Sequence, residues 1–176
     1  MFALYSFLSG LLLSAAFKPI GLWFAAPLAI ALLIYSINKN GKYFASFAIF
    51  AFTFNAAGLI WSNKYVGVAP WIALVVLQTV FYLPLAFLKR TGEYWYFYLP
   101  VAFLALEELR SRFPFGGFGW LRIGFSQVDA PFNFTAAFLG DSILSFISIL
   151  LGIAFYFYGS ETDDYERGKR LSGGGG

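Results

Sequence analysis

The stretch FPFGGFGWLRIGFSQVDAPF, residues 113–132, interrupts a chain that otherwise consists mainly of long apolar segments. It combines four glycines and two prolines with isolated polar side chains at Arg122, Ser126, Gln127 and Asp129. Non-helical backbone at membrane depth is tolerated only where it is buried in protein or lines a cavity. Glycines permit positive φ and close backbone approach, and aromatic residues suit the membrane–water interface. The stretch therefore predicts an interfacial loop or a re-entrant segment, with a simple connecting loop as the alternative.

The composition of the whole chain is that of an integral membrane protein. Of the 176 residues, 60% are hydrophobic and 12% are charged, whereas soluble domains carry roughly 25% charged residues. The absence of Cys and His excludes disulfides, thiol nucleophiles, imidazole bases and zinc sites of the usual ligand types. We therefore expect no metal and no cofactor. The net charge of +3 indicates membrane topology rather than a nucleic acid partner.

Six apolar segments approach the roughly 20 residues that a membrane helix needs. They cover residues 1–17, 19–37, 43–61, 69–88, 94–106 and about 141–158, and the fifth is expected to continue at the interface to Arg110. We predict an all-α membrane bundle of about six transmembrane helices, with the interfacial or re-entrant segment before the last. A cleaved signal peptide is the alternative for the first segment, although the basic residues that open such peptides are missing.

The distribution of basic residues predicts the orientation of this bundle. Six spans place both termini on one side, where the loops hold seven basic residues against five on the other side. The positive-inside rule then places both termini in the cytoplasm and residues 113–132 on the outer face. Residues 1–158 form the predicted membrane domain, and residues 159–176 form a polar, glycine-ended cytoplasmic tail.

Two kinds of residue within the apolar segments predict helix packing. Small residues recur every four positions, at Ser6, Gly10 and Ser14 and again at Ser148 and Gly152. Such rows let helix backbones approach closely in a bilayer. Asn55 and Gln78 are expected to hydrogen-bond to a neighbouring helix, with substrate contact as the alternative.

Charged residues follow the fifth segment at helical spacing. Glu107 and Arg110 lie three positions apart, Glu108 and Arg112 lie four apart, and each pair can form on one helical face. We interpret them as a helix end that is anchored in the headgroups by paired charges. The alternative is a polar cluster that positions lipid headgroups or a partner domain outside the bilayer.

Four motifs resemble those of bacterial apolipoprotein N-acyltransferases. FGGFGWLRIGFSQVD (115–129) is similar to the family's aromatic, glycine-rich stretch that ends in Gly-Tyr-Ser-Gln. The others are the turn AFKPIGLWFAAPLA (16–29), the Gly-x-x-Trp motif in GLIWSNKYV (58–66) and the Glu-x-x-Arg run in EELRSRF (107–113). The resemblance covers about residues 5–158. Gly119 stands where the family usually has proline, and Lys18 replaces the first proline of the turn.

The resemblance implies ping-pong transfer of a phospholipid acyl chain to the N-terminal diacylglyceryl-cysteine of a lipoprotein in the bacterial inner membrane. In the family, a nitrilase-like domain outside the membrane carries a Glu-Lys-Cys triad with the nucleophilic cysteine. Because this chain has no Cys, we expect it to contain no catalytic residue. Its implied role is to seat the catalytic domain and to admit lipid acyl chains laterally.

The resemblance also implies a site and a set of partners. The expected substrate-binding residues at an interfacial entrance are Trp61, Phe118, Trp120, Ser126 and Gln127, with Glu107 and Arg110 as structural supports. The expected partners are phospholipid, the lipoprotein N-terminus and a separate nitrilase-like or glycosyltransferase domain. One alternative function is a membrane anchor or scaffold for a separate enzyme, such as a polyprenol-phosphate mannose synthase. A small transporter is less favoured, because the strongly polar mid-span residues are two amides that do not ionise.

Overall fold

The computed structural model describes the backbone of residues 2–172 and the side chains of residues 2–160. This part of the chain is helical and contains no strand, which confirms the all-α prediction. Its eight α-helices are α1 (Phe2–Ala15), α2 (Ala25–Asn40), α3 (Tyr43–Gly58), α4 (Ile60–Val66), α5 (Val68–Tyr82), α6 (Leu99–Arg110), α7 (Ala136–Leu139) and α8 (Asp141–Ser172). Short 3-10 segments lie at Leu83–Thr91, Trp95–Tyr98, Ile123–Gln127 and Asn133–Thr135.

Two helical runs have the length and apolar composition of membrane spans within the described residues. They are Val68–Thr91, which joins α5 to the following 3-10 segment, and Asp141–Ser160 in α8. The pair α3 and α4 makes a third if it is counted as one broken span, because the two helices meet at a bend of 55°. Residues 43–61 thus hold two helices that break after Gly58, and their assignment to one span stays a prediction. The count of six spans stays a prediction.

Two other predicted boundaries differ from the structure. The second apolar segment becomes helical at Ala25 rather than at residue 19, and Pro27 then lies in the first turn, where no intrahelical hydrogen bond from its nitrogen is needed. The last helix continues through Ser172, beyond the predicted end at residue 158. The four terminal glycines lie outside the described residues, and the polar cytoplasmic tail stays a prediction.

Small residues bring the helices of the bundle into close contact, as their spacing predicts. A Cβ at Gly10 would lie 2.6 Å from the backbone oxygen of Phe50 in α3. A Cβ at Gly152 would lie 2.8 Å from the backbone oxygen of Pro27 in α2. Glycine at these positions therefore lets α1 approach α3 and lets α8 approach α2.

Aromatic side chains fill the core between α3, α5 and α6. Tyr82 is fully buried and contacts the rings of Phe50, Phe54 and Phe103 at centroid distances of 6.2, 6.2 and 5.8 Å. Residues 111–140 form turns and short helical pieces between the end of α6 and the start of α8. This confirms that an irregular segment precedes the last helix.

Candidate functional site

The irregular segment begins with a tight reversal of the chain after α6. The amide of Phe118 donates to the carbonyl oxygen of Arg110 at 2.8 Å, so the intervening residues form a closed loop. Gly117 has φ +87°, and a Cβ there would lie 2.0 Å from the carbonyl oxygen of Ser111. Gly116 has φ +94° but has open space around it. Glycine is required at 117 by both space and backbone conformation, and at 116 by conformation alone.

The next turn holds the segment against α3 and α8. Leu121 adopts a positive φ of 59°, which is uncommon for a residue other than glycine. Its side chain packs against Gly58 at the end of α3, where a Cβ would lie 2.7 Å from the leucine Cδ1. A Cβ at Gly124 would lie 2.2 Å from the carbonyl oxygen of Asp141. Gly58 and Gly124 thus permit close approach.

Glu107 is a fully buried acceptor beneath the segment. Its Oε1 accepts a hydrogen bond from the amide of Ile123 at 2.7 Å, and its Oε2 accepts one from the Ser145 hydroxyl at 2.9 Å. The Ser145 oxygen in turn accepts from the amide of Gly124 at 2.7 Å. One carboxylate therefore joins α6, the 3-10 segment and α8.

Arg110 binds backbone carbonyl oxygens of the same segment, whereas Glu107 binds a backbone amide. It is fully buried, and its Nη2 donates to the carbonyl oxygens of Trp120 and Leu121 at 2.8 and 3.1 Å. Glu107 and Arg110 do not form an ion pair within 4 Å, so the predicted direct pair is wrong. Each side chain binds loop backbone instead, because buried backbone groups need partners. We call Glu107 and Arg110 the clamp.

A second network lies at the edge of the clamp and is centred on Arg122, whose side chain is 10% exposed. Arg122 contacts Glu108 at 2.8 Å and Asp141 at 2.6 Å, and it donates to the Ser142 hydroxyl at 3.0 Å. Glu108 also pairs with Arg112 at 3.1 Å, which confirms that predicted pair. The hydrogen bond and the charge of Arg122 lower the pKa of Glu108 from its usual value. The network joins the end of α6 to the start of α8.

Ser126 and Gln127 are buried inside the segment. The Ser126 hydroxyl donates to the carbonyl oxygen of Ile123 at 2.7 Å. The Gln127 amide nitrogen donates to the Ser126 hydroxyl at 2.6 Å and to the carbonyl oxygen of Trp23 at 3.2 Å. These bonds tie the segment to the turn before α2. The substrate-binding role of the two residues stays a prediction.

The three aromatic residues predicted for the site differ in how far they are buried. Trp61 in α4 and Trp120 are 45% and 57% exposed, and their ring centroids lie 5.4 Å apart. Phe118 is half-buried and packs against the core. The structure therefore brings Trp61 and Trp120 together on the surface, with the clamp attached directly to the backbone of Trp120.

Two apolar cavities open on the surface of the bundle. A cleft of about 450 Å³ lies between the segment and α8, with Phe125, Val128 and Phe134 among its lining residues. An apolar groove of about 670 Å³ runs between α1, α3 and α5, and its walls include Phe52 and Thr79. Both can hold hydrocarbon, because their linings are mainly apolar.

The side-chain amides of Asn55 and Gln78 differ in their hydrogen bonds. The Asn55 nitrogen donates to the carbonyl oxygen of Ala51 in its own helix at 2.8 Å, so the expected bond to a neighbouring helix is wrong for this donor. The amide atoms of Gln78 have no hydrogen-bond partner among the described side chains and backbone.

Three contacts of the segment are not predicted from the sequence. Arg122 stands out there as an isolated polar residue, but its partner in α8 follows 19 positions later. Ser145 lies one helical turn before the small residues Ser148 and Gly152, and its spacing indicates packing. Its hydroxyl instead donates to Glu107 of the clamp. Lys18, which departs from the family motif, forms an ion pair with Asp129 across 111 positions.

Comparison with known proteins identifies the family of this chain. Residues 9–154 match the family model described as apolipoprotein N-acyltransferase N-terminal domain. The apolipoprotein N-acyltransferase of Aquifex aeolicus is 30% identical over 158 residues, which cover 81% of this chain and 35% of that protein. The apolipoprotein N-acyltransferase of Haemophilus ducreyi is 33% identical over 159 residues, which cover 83% of this chain and 31% of that protein.

The chain thus spans about a third of the length of these curated relatives. The family match covers most of the described helices and includes the clamp, the tryptophan pair and the whole irregular segment. The chain belongs to the apolipoprotein N-acyltransferase N-terminal domain family.

Proposed function

We propose that this chain is the membrane domain of an apolipoprotein N-acyltransferase-like protein and that it supports transfer of a phospholipid acyl chain to the N-terminal diacylglyceryl-cysteine of lipoproteins. Its own part is lipid access and docking of a catalytic domain, without catalysis. The observation that carries this proposal is the buried clamp, which fixes the backbone beneath the exposed pair Trp61 and Trp120.

The clamp supports this role because it makes the segment rigid. Two buried charged side chains and the hydroxyl of Ser145 satisfy four backbone groups of the segment, at positions 120, 121, 123 and 124. Charge-assisted hydrogen bonds are roughly twice as strong as neutral ones. A connecting loop needs no such support, whereas a surface that receives a lipid or a domain must hold its side chains in place.

The apolar groove supports the lipid part of the proposal. Its α3 wall extends from Ala48 to Ala57. At 1.5 Å per residue these nine steps measure about 14 Å, enough for a large part of an acyl chain. Burial of each CH₂ group there contributes about 0.8 kcal/mol. The groove opens between α1 and α5, so an acyl chain can enter it from the side.

An acylation assay tests whether the chain supports acyl transfer only together with a catalytic domain. The chain alone, incubated with phospholipid and a diacylated lipopeptide, is expected to give no triacylated product above a no-enzyme control, because it lacks a thiol. A fusion to the remaining part of the Aquifex aeolicus relative is expected to give product. Product from the chain alone would contradict the proposal, and so would an inactive fusion in which both parts insert and fold.

We further propose a multi-pass placement in the bacterial inner membrane with about six spans and cytoplasmic termini. The asymmetry of basic residues and the two apolar runs in α5 and α8 support it. A reporter fused after Tyr158 tests this placement. Activity there of a reporter that works only in the periplasm would contradict it.

A further inference from the structure

A cluster of buried polar atoms lies between α5 and α6 and includes Arg110 of the clamp. Gln78, Tyr82 and Arg110 are each fully buried. Five of their atoms have no hydrogen-bond partner among the described protein groups: Oε1 and Nε2 of Gln78, the hydroxyl of Tyr82, and Nε and Nη1 of Arg110. A buried polar group without a partner destabilises the folded protein. Five such atoms in one part of the bundle require an explanation.

The three side chains face the same region. Gln78 and Tyr82 lie four positions apart on α5 and therefore share one face of that helix. The guanidinium carbon of Arg110 lies 5.4 Å from the centre of the Tyr82 ring. Arg110 thus extends from α6 toward the face of α5 that carries both polar residues, while its Nη2 remains bonded to the loop carbonyls.

The aromatic rings that contact Tyr82 do not supply the missing partners. Phe50, Phe54 and Phe103 enclose the Tyr82 ring, and they offer no donor or acceptor. The carboxylate of Glu107 is bonded to Ile123 and Ser145. The Glu107 carboxylate lies three positions from Arg110 on α6 and balances part of its charge, so a neutral ligand suffices for the free N–H groups.

We propose that Gln78, Tyr82 and Arg110 form an internal binding site for ordered water. A buried water typically makes two to four hydrogen bonds, and globular proteins hold on the order of one for every 27 residues. Water both donates and accepts, so it matches a cluster that contains N–H donors, a hydroxyl and an amide oxygen. The site hydrates the inner side of the clamp, and through Arg110 it supports the backbone at Trp120.

Hydroxyl-radical labelling of the intact chain in lipid nanodiscs tests this site. A millisecond X-ray pulse produces radicals from water in place, and mass spectrometry identifies the oxidised residues. Tyr82 is expected to be oxidised several-fold faster than Trp95. Trp95 is the control, because it is equally buried and of comparable reactivity, while its indole nitrogen already donates to Asn38 at 2.9 Å. Equal, background-level labelling of both residues would overturn the proposal.

Thermal unfolding of Gln78→Leu provides a second test, because the melting temperature changes in opposite directions for a hydrated and a dry site. In a hydrated site the substitution removes two hydrogen-bonding atoms from the water, and the melting temperature is expected to fall by about 2–4 °C, which corresponds to roughly 1 kcal/mol for a chain of this size. In a dry site the substitution removes unpaired polar atoms, so the melting temperature would rise, and a rise would overturn the proposal. Labelling of the native chain decides the question even if this variant does not fold.

Discussion

Replacement of Glu107 by Ala is expected to destabilise the bundle strongly and to release the amide of Ile123 from α6. The substitution leaves the amide of Ile123 and the hydroxyl of Ser145 without their acceptor. Each buried group that loses its partner costs about 1–3 kcal/mol. It also removes the negative charge that accompanies the buried Arg110, and an uncompensated buried charge adds a further penalty. The measurement is thermal unfolding in detergent, together with proteolysis of the segment.

Glu93→Ala is the matched control for this prediction. It also removes one carboxylate, but Glu93 is exposed, and such surface substitutions usually change stability by less than about 0.5 kcal/mol. Glu107→Gln should fall between the two, because an amide retains one acceptor oxygen and lacks the charge. Equal stability of the Glu107→Ala and Glu93→Ala variants would show that the clamp does not hold the segment.

The two adjacent glycines of the chain reversal are expected to respond differently to the same substitution. Gly117→Val places a Cβ about where the carbonyl of Ser111 lies, 2.0 Å from its oxygen, and forces valine to adopt φ +87°. Backbone strain contributes about 1–3 kcal/mol, and forced overpacking adds typically 1–3 kcal/mol. Gly116→Val carries the conformational strain alone, because a Cβ there meets open space.

Thermal unfolding and acylation by the fusion protein measure this difference. The Gly117 variant is expected to lose most of its activity and to unfold at a clearly lower temperature, with Gly116→Val between it and the unaltered protein. Gly119→Ala is the control, since its Cβ would lie at an ordinary distance of 3.6 Å from the Ser111 side chain. Identical stability of the Gly116 and Gly117 variants would contradict the described reversal.

Composition and periodicity are sufficient to predict the all-α fold, the small-residue packing and the irregular segment before the last helix. The bend between α3 and α4 is not predicted, because residues 43–61 contain no charged residue and no proline. Hydropathy measures burial in lipid and does not report a change in helix direction. Leu121 packs against Gly58 next to this break, and that contact joins positions 63 residues apart.

The sequence predicts which residues form the site, but it does not predict their hydrogen-bond partners. Helical spacing brings Glu107 and Arg110 to one face, and this spacing favours a direct pair. In the structure, the amides and carbonyls of residues 120–124 compete for both side chains and bind them, because buried backbone cannot remain unpaired. Sequence spacing contains no information on this competition. Spacing likewise does not predict that Gln127 donates to the carbonyl oxygen of Trp23 in the turn before α2.

Acylation by the fusion protein carrying Trp120→Ala tests the central claim most directly, namely that the clamped segment presents a functional surface at Trp61 and Trp120. The variant is expected to insert normally and to lose at least about tenfold in acylation rate, a difference of about 1.4 kcal/mol. Tyr158→Ala is the control, because Tyr158 is 73% exposed and lies about 26 Å along α8 from its first residue, Asp141. Full activity of both variants would contradict the account and leave residues 113–132 as a connecting loop.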